Sequence, residues 1–212
     1  MGIIHQLQGQ LLNCHRHRPL ASRISRRLVR TSSAPSKTTC DTTRNDDVGR
    51  VYYLAHMNYA RLKAPLDDPC MAEFKAAMDP INALAKASSG FVWSLDHPVD
   101  DDREAVPVLR DDPLCMPQLS LWTGPQELVH FAFKSGHVIY YKRKREWFTP
   151  PVVDTQPYWA VCWWFAPTAD CQVPTLEQAF DRLQVLCANQ QSTLEAFALS
   201  DAKDFPPPQT DN

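Results

Sequence analysis

The stretch YWAVCWWF, residues 158–165, limits the possible folds more than any other part of the chain. Its aromatic and β-branched content reads as a strand. Both alternating sets are apolar: Tyr158, Ala160, Cys162 and Trp164 on one side, Trp159, Val161, Trp163 and Phe165 on the other. A sheet with helices on one face only carries polar residues on the other. Both faces of this strand therefore need cover. A second copy of the sheet is the simplest cover and predicts a homodimer; the loop or tail of the same chain is the alternative.

The remaining elements follow from local signals. VYYLAHMNY (51–59), GFVWSL (90–95) and PQLSLW (117–122) read as three further strands. Asp68 as N-cap and Pro69 at the first helical position open a helix over residues 67–78. Asp79-Pro80 repeats the start signal, which predicts a break and a second helical piece to Ala87. Residues 96–116, acidic and proline-bearing, read as a long surface loop. Gly124-Pro125 opens a helix to about Phe148, and Thr175 with Gln178 has the spacing of a capping box for the last helix. The order is β, α, β, β, α, β and a terminal helix. This predicts an α+β, ferredoxin-like βαββαβ fold with an extra C-terminal helix over residues 48–200. The tail, 201–212, reads as loose.

Charge separates the ends of the chain. Residues 1–40 hold six Arg and Lys37 with no Asp or Glu, whereas the rest holds 15 basic and 24 acidic residues. Leu20, Ile24 and Leu28 form one helical stripe amid Arg23, Arg26, Arg27 and Arg30. That composition is the signature of a transit peptide, so residues 1–40 are expected to be a targeting leader addressing the mitochondrion, with a cytoplasmic basic tail as the alternative. An acidic body excludes a general attraction to nucleic acid. No apolar run reaches the roughly 18 residues of a membrane span. Cys70, Cys115, Cys162, Cys171 and Cys187 lie in the body without a CxxC pair, which predicts neither a disulfide framework nor a zinc site.

HVIYYKRKREWF (137–148) combines four consecutive cations with aromatics and a histidine. Each helical step turns a side chain by about 100°, so four adjacent charges cannot share one face. On a helix over 127–148, Val129, His130, Phe133, His137, Tyr140, Tyr141, Trp147 and Phe148 share a stripe roughly 120° wide. His130 and His137 stand about 10.5 Å apart along the axis, too far to share a metal ion. Each imidazole is either a hydrogen-bonded core residue or part of a pocket between helix and sheet. In the pocket reading His137 moves a proton and Tyr141 orients a substrate oxygen. His56, Trp93, Trp122, His130, Arg145 and Trp147 are the candidate substrate-binding residues, with no metal. Standard dinucleotide, P-loop, nucleophile-elbow and HExxH motifs are absent from the sequence.

The blocks LAHMNYARLKAPLDDP, INALAKASSGFVWSL, LSLWTGPQELVHFAFKSGHVIYYKRKREWF, CWWFAPTADCQVPTLEQAFDRLQVL and STLEAFAL together resemble, in order, the domain-of-unknown-function family numbered 3291. The resemblance covers residues 52–199. It implies a dimeric α/β barrel similar to the antibiotic-biosynthesis monooxygenases, with ligands held between sheet and helices. It carries over to His137, Arg145, Trp147 and Phe148 of the H…RxWF block and to Trp93 of GFVW. Ser94 stands where the family pattern often has Arg, and PTADCQVPT is longer than the usual turn. The function this implies is a small homodimeric enzyme of secondary-metabolite-like biosynthesis. It would be a cofactor-independent oxygenase, isomerase or cyclase acting on an aromatic or polyketide-like small molecule. A non-catalytic dimeric binding or structural module is the alternative, and haem held by one histidine is the alternative to no cofactor.

Overall fold

The computed structural model describes residues 50–96, 103–149 and 158–209. The chain divides into two units, Met1–Arg44 and Asn45–Asn212, and every described residue belongs to the second. The expected targeting leader lies outside the described residues.

The protein is a mixed α+β structure built on a four-stranded antiparallel sheet in the order β2-β3-β1-β4. The strands are β1 (Tyr53–Arg61), β2 (Phe91–Ser94), β3 (Cys115–Trp122) and β4 (Ala160–Phe165). The helices are α1 (Ala72–Lys86), α2 (Pro107–Asp111), α3 (Pro125–Lys134), α4 (His137–Arg143) and α5 (Leu176–Asn189). Asp68 does cap the first helical segment, accepting from the Cys70 amide at 2.9 Å ahead of a 3-10 turn at Pro69–Met71. The capping box at Thr175 and Gln178 is formed in both directions.

Three expectations are corrected. The break at Asp79-Pro80 does not occur, because α1 runs unbroken through Pro80. Proline removes the amide that would bond the carbonyl of residue 76, and Ala76 and Pro80 are both exposed, so water can satisfy that oxygen. The loop after β2 contains α2, with Pro107 pre-set at its start. The tail is not wholly loose. Residues Leu199–Asp204 form a 3-10 helix, Phe205 stacks on Phe197 at 5.4 Å, and the Trp164 indole donates to the Phe205 carbonyl at 2.8 Å.

Cover for β4 comes from its own chain. Val161, Trp163 and Phe165 pack with Ala55, Met57, Leu119 and Leu121 under Leu176, Ala179, Phe180, Leu183 and Leu186 of α5. On the other face Cys162 and Leu54 pack with Ala85 of α1, Leu128 of α3, and Phe197 and Ala202 of the tail. Phe197 also exchanges two backbone hydrogen bonds with Cys162, at 2.8 and 2.9 Å, along the outer edge of β4. The twofold apolarity of β4 is thus met by α5 and the tail, without recourse to a second sheet.

Gly90 turns the chain from α1 into β2 with φ +75°, a left-handed conformation that side chains disfavour. A Cβ there would collide with the Thr123 hydroxyl and the Glu127 side chain. Leu183, 1% exposed, sits at the centre of the α5 contact. Leu183→Ala should lower the unfolding free energy by about 2–5 kcal/mol in urea denaturation, the range for a buried leucine emptied to a cavity.

Candidate functional site

The two faces of the sheet are not built alike. The α5 face carries one continuous apolar cluster. The face under α1, α3 and α4 carries two, and they are separate. One holds Leu54, Trp122, Cys162, Leu128 and Phe197. The other holds Leu62, Met71 and Trp147, with Phe74, Met116 and Tyr140 against them. Between these clusters the strand alternation presents polar side chains on the same face. Register pairs His56 with Ser120 and Asn58 with Gln118 across β1 and β3. Among these, Gln118 is exposed and the other three are half-buried.

The helix over this polar window is interrupted. The continuous helix expected to Phe148 stops at Lys134 and restarts at His137, then ends in a 3-10 turn at Lys144–Glu146. Ser135 is extended (φ −100°, ψ −174°), and its hydroxyl donates to the Phe131 carbonyl at 2.6 Å. The His137 amide donates to that same hydroxyl at 3.2 Å. His137 Nδ1 lies 3.0 Å from the Ala132 carbonyl oxygen. A carbonyl only accepts, so Nδ1 carries the hydrogen and neutral His137 presents Nε2 as its acceptor. The imidazole therefore caps α3 and leaves one lone pair for other use. A Cβ at Gly136 would meet Leu84 of α1 at 3.4 Å, which seats the break against α1.

Aromatic packing orients the ring further. Phe131 lies 4.9 Å from the His137 ring and is stacked 5.3 Å from Trp122, whose indole donates to the Ser120 hydroxyl at 3.0 Å. Tyr141 follows one turn on, its ring 6.4 Å from that of His137. Burial lowers the His137 pKa, opposed in part by the Ala132 carbonyl. His56 retains some accessible surface, but its surroundings are crowded. Burial, and next the like charge of His137, push its pKa down to about 4. Both rings are accordingly neutral at neutral pH.

Four of the expected site residues thus come together: His56, Trp122, His137 and Tyr141. Four do not. His130 is exposed, because the break at Ser135 stops α3 short of the register that put it in the stripe. Arg145 is exposed as well, and its backbone carbonyl accepts from Lys63 Nζ at 2.6 Å. Trp147 is buried in the second apolar cluster, with the Arg143 guanidinium 4.9 Å above its ring. Trp93 pairs with Leu121 and packs on the α5 face, opposite the histidines. Sequence reasoning missed Asn58 and Gln118. The signal was there in the alternation, two residues beyond His56 and two before Ser120. A shallow surface groove lined by Asp79, Asn82, Ala83, Lys86 and Asp96 includes none of these residues, and the Lys86–Asp96 ion pair spans it at 2.6 Å. Among the described residues no three His, Cys, Asp or Glu side chains could hold a metal, and no helix is long and apolar enough to cross a membrane.

Depressed imidazole pKa values make stability fall with acid. An unfolded histidine takes its proton near pH 6.5, whereas folded His56 does so only near 4. Between those values the unfolded state binds more protons, so stability present above about pH 6.5 is lost as pH falls toward about 4. Asp112, held low by its hydrogen bond to Arg61, and Glu73 and Glu146, held low by Arg143, add to the loss as pH falls into and below the ordinary carboxylate range. Urea unfolding from pH 7.5 to 4.5 should show a slope of up to about 1.4 kcal/mol per pH unit for each such imidazole. His56→Gln should flatten it.

Residues 53–212 match the family described as "Domain of unknown function (DUF3291)". No curated protein and no solved structure matches the chain.

Proposed function

Given that the chain belongs to this domain-of-unknown-function family, we propose from its own residues that it is a small-molecule enzyme of proton transfer. Its substrate would be a flat aromatic or polyketide-like compound, and the reaction a cofactor-independent isomerisation or cyclisation, with oxygenation a variant in which dioxygen adds to the enolate. The observation that carries this reading is a pair of half-buried imidazoles, His56 of β1 and His137 of α4, on one side of the sheet and both held neutral by burial. His137 has its Nδ1 committed to the Ala132 carbonyl, so Nε2 is the base. It would take a proton from the carbon beside a carbonyl, leaving an enolate, and return that proton to another carbon or oxygen of the same substrate. The apolar clusters on either side would hold the ring, with the Tyr141 hydroxyl orienting the enolate oxygen.

The strand order β2-β3-β1-β4 with antiparallel neighbours supports the ferredoxin-like reading of the sheet. Because α5 lies on one face and α1, α3 and α4 on the other, we place the chemistry within one subunit. Homodimerisation is an added proposal, tested by light scattering.

A non-catalytic binding module is the second reading, and the capping bond of His137 favours it, since that bond gives the histidine a structural reason to be there. Two variants separate the readings. The full chain would be incubated in D2O with aromatic 1,3-diketones, and exchange at the acidic carbon followed by NMR. Wild type should accelerate exchange, and His137→Ala should reduce the rate by about 10²–10⁴-fold. His137→Asn keeps a donor for the Ala132 carbonyl but has no titrating base, so it should fold like wild type and exchange as slowly as the alanine variant. Wild type that leaves exchange at the buffer rate is a binding module.

A further inference from the structure

Asn58 and Gln118 have no part in the proton transfer, yet they share its face of the sheet. Two positions along a strand span about 6.7 Å, so this cross-strand pair stands one ring's width from the His56–Ser120 pair. Sheet faces that lie under helices normally bury apolar side chains, and here apolar clusters close both ends of the row. The two carboxamides meet through a single long contact, Asn58 Nδ2 to Gln118 Oε1 at 3.4 Å. That exposed contact leaves Asn58 Oδ1 as an acceptor and Gln118 Nε2 as a donor without a further hydrogen bond among the described residues. Donors and acceptors together, with no cation among the four polar residues of the window, suit a neutral hydroxyl better than a carboxylate or phosphate.

We propose that Asn58 and Gln118 form a second subsite that binds a hydroxyl at the far end of a flat, ring-sized ligand whose carbonyl end lies at His56 and His137. The ligand class is a hydroxylated aromatic ketone. This deepens the proposed function and rests on it for the carbonyl end alone.

The test is a binding measurement that requires no turnover. The full chain is titrated by NMR with 4-hydroxyacetophenone, which carries oxygens at opposite ends of one ring, and with acetophenone, which carries one. Wild type should bind the hydroxylated probe about tenfold more tightly, the discrimination expected when a site built to hydrogen-bond a hydroxyl meets a ligand lacking it. Asn58→Leu/Gln118→Leu should abolish that preference and leave acetophenone affinity within about twofold. Gln118→Met changes only an exposed side chain, so it should fold even where the double variant does not, and it should lose several-fold of the preference. Equal affinity of wild type for the two probes, no binding of either at millimolar concentration, or a preference unchanged in Gln118→Met each overturns the subsite. The two proposals fail separately. A preference that follows the amides without any deuterium exchange removes the proton transfer and keeps the subsite. Exchange that depends on His137 without the preference does the reverse.

Discussion

Pairing of β1 on both of its sides is the constraint on which the rest of the structure depends. Residues Leu54 through Asn58 are bonded to β3 on one side and to β4 on the other, so none of the three strands can slip without disturbing the other two. A slip of one residue would turn every side chain to the opposite face. It would bring Ala55 and Met57, both fully buried under α5, to the polar window and send His56 into the apolar cluster that α5 covers. The cost of stranding an imidazole without hydrogen-bond partners in that cluster, added to the lost packing, fixes the register. The position of His56 opposite Ser120 is therefore a consequence of the core, and the candidate site inherits its geometry from the best-packed part of the molecule.

The second determinant is the interruption at Ser135-Gly136. Had the helix continued, His137 would have followed α3 at helical angles, with its own amide spent on an intrahelical bond. The break frees carbonyls at the end of α3, and the Ser135 hydroxyl and the His137 ring take up two of them. Capping by an imidazole near a helix C-terminus favours the charged ring. Burial opposes this and wins, since the His137 pKa is lowered on balance. The neutral state of the ring is thus set by competition between two local effects of opposite sign. The like charge between the two rings acts on His56, whose pKa burial has already lowered, whereas burial alone depresses His137.

Much of this was legible in the chain itself, where the signal was local. The four strands, the Asp68 cap and the Thr175–Gln178 capping box depend on spacing within a few residues, and all were read correctly. The errors arose where tertiary context overrode local preference. Pro80 reads as a break, but an exposed carbonyl at residue 76 tolerates it. A helical wheel drawn across residues 127–148 assumed one continuous helix, and so His130 fell on the inward stripe though it is exposed. Trp93 lies in the edge strand β2 and Trp122 in the central β3, and only the irregular register between Phe91 and Trp93 shows that Trp93 turns to the α5 face. Asn58 and Gln118 carry no motif. Their interest comes from lying between two separated clusters, which a linear sequence does not display.

The run of cations at 142–145 finds its explanation in the same frame. Arg143 alone accounts for two carboxylates, pairing with Glu73 of α1 through 2.5 and 2.8 Å contacts and with Glu146 at 2.7 and 2.8 Å, while its plane lies over Trp147. Lys144 lies 4.1 Å over the Tyr141 ring. These contacts tie the C-terminal end of α4 to the first turn of α1, and the capping bonds of Ser135 and His137 tie its N-terminal end to α3. A helix of only seven residues has little stability of its own. Held at both ends, it keeps His137 against Phe131 and close to His56. The basic run, which in isolation suggests a polyanion surface, acts here as an anchor. What it anchors is the one helix on which the proposed chemistry depends.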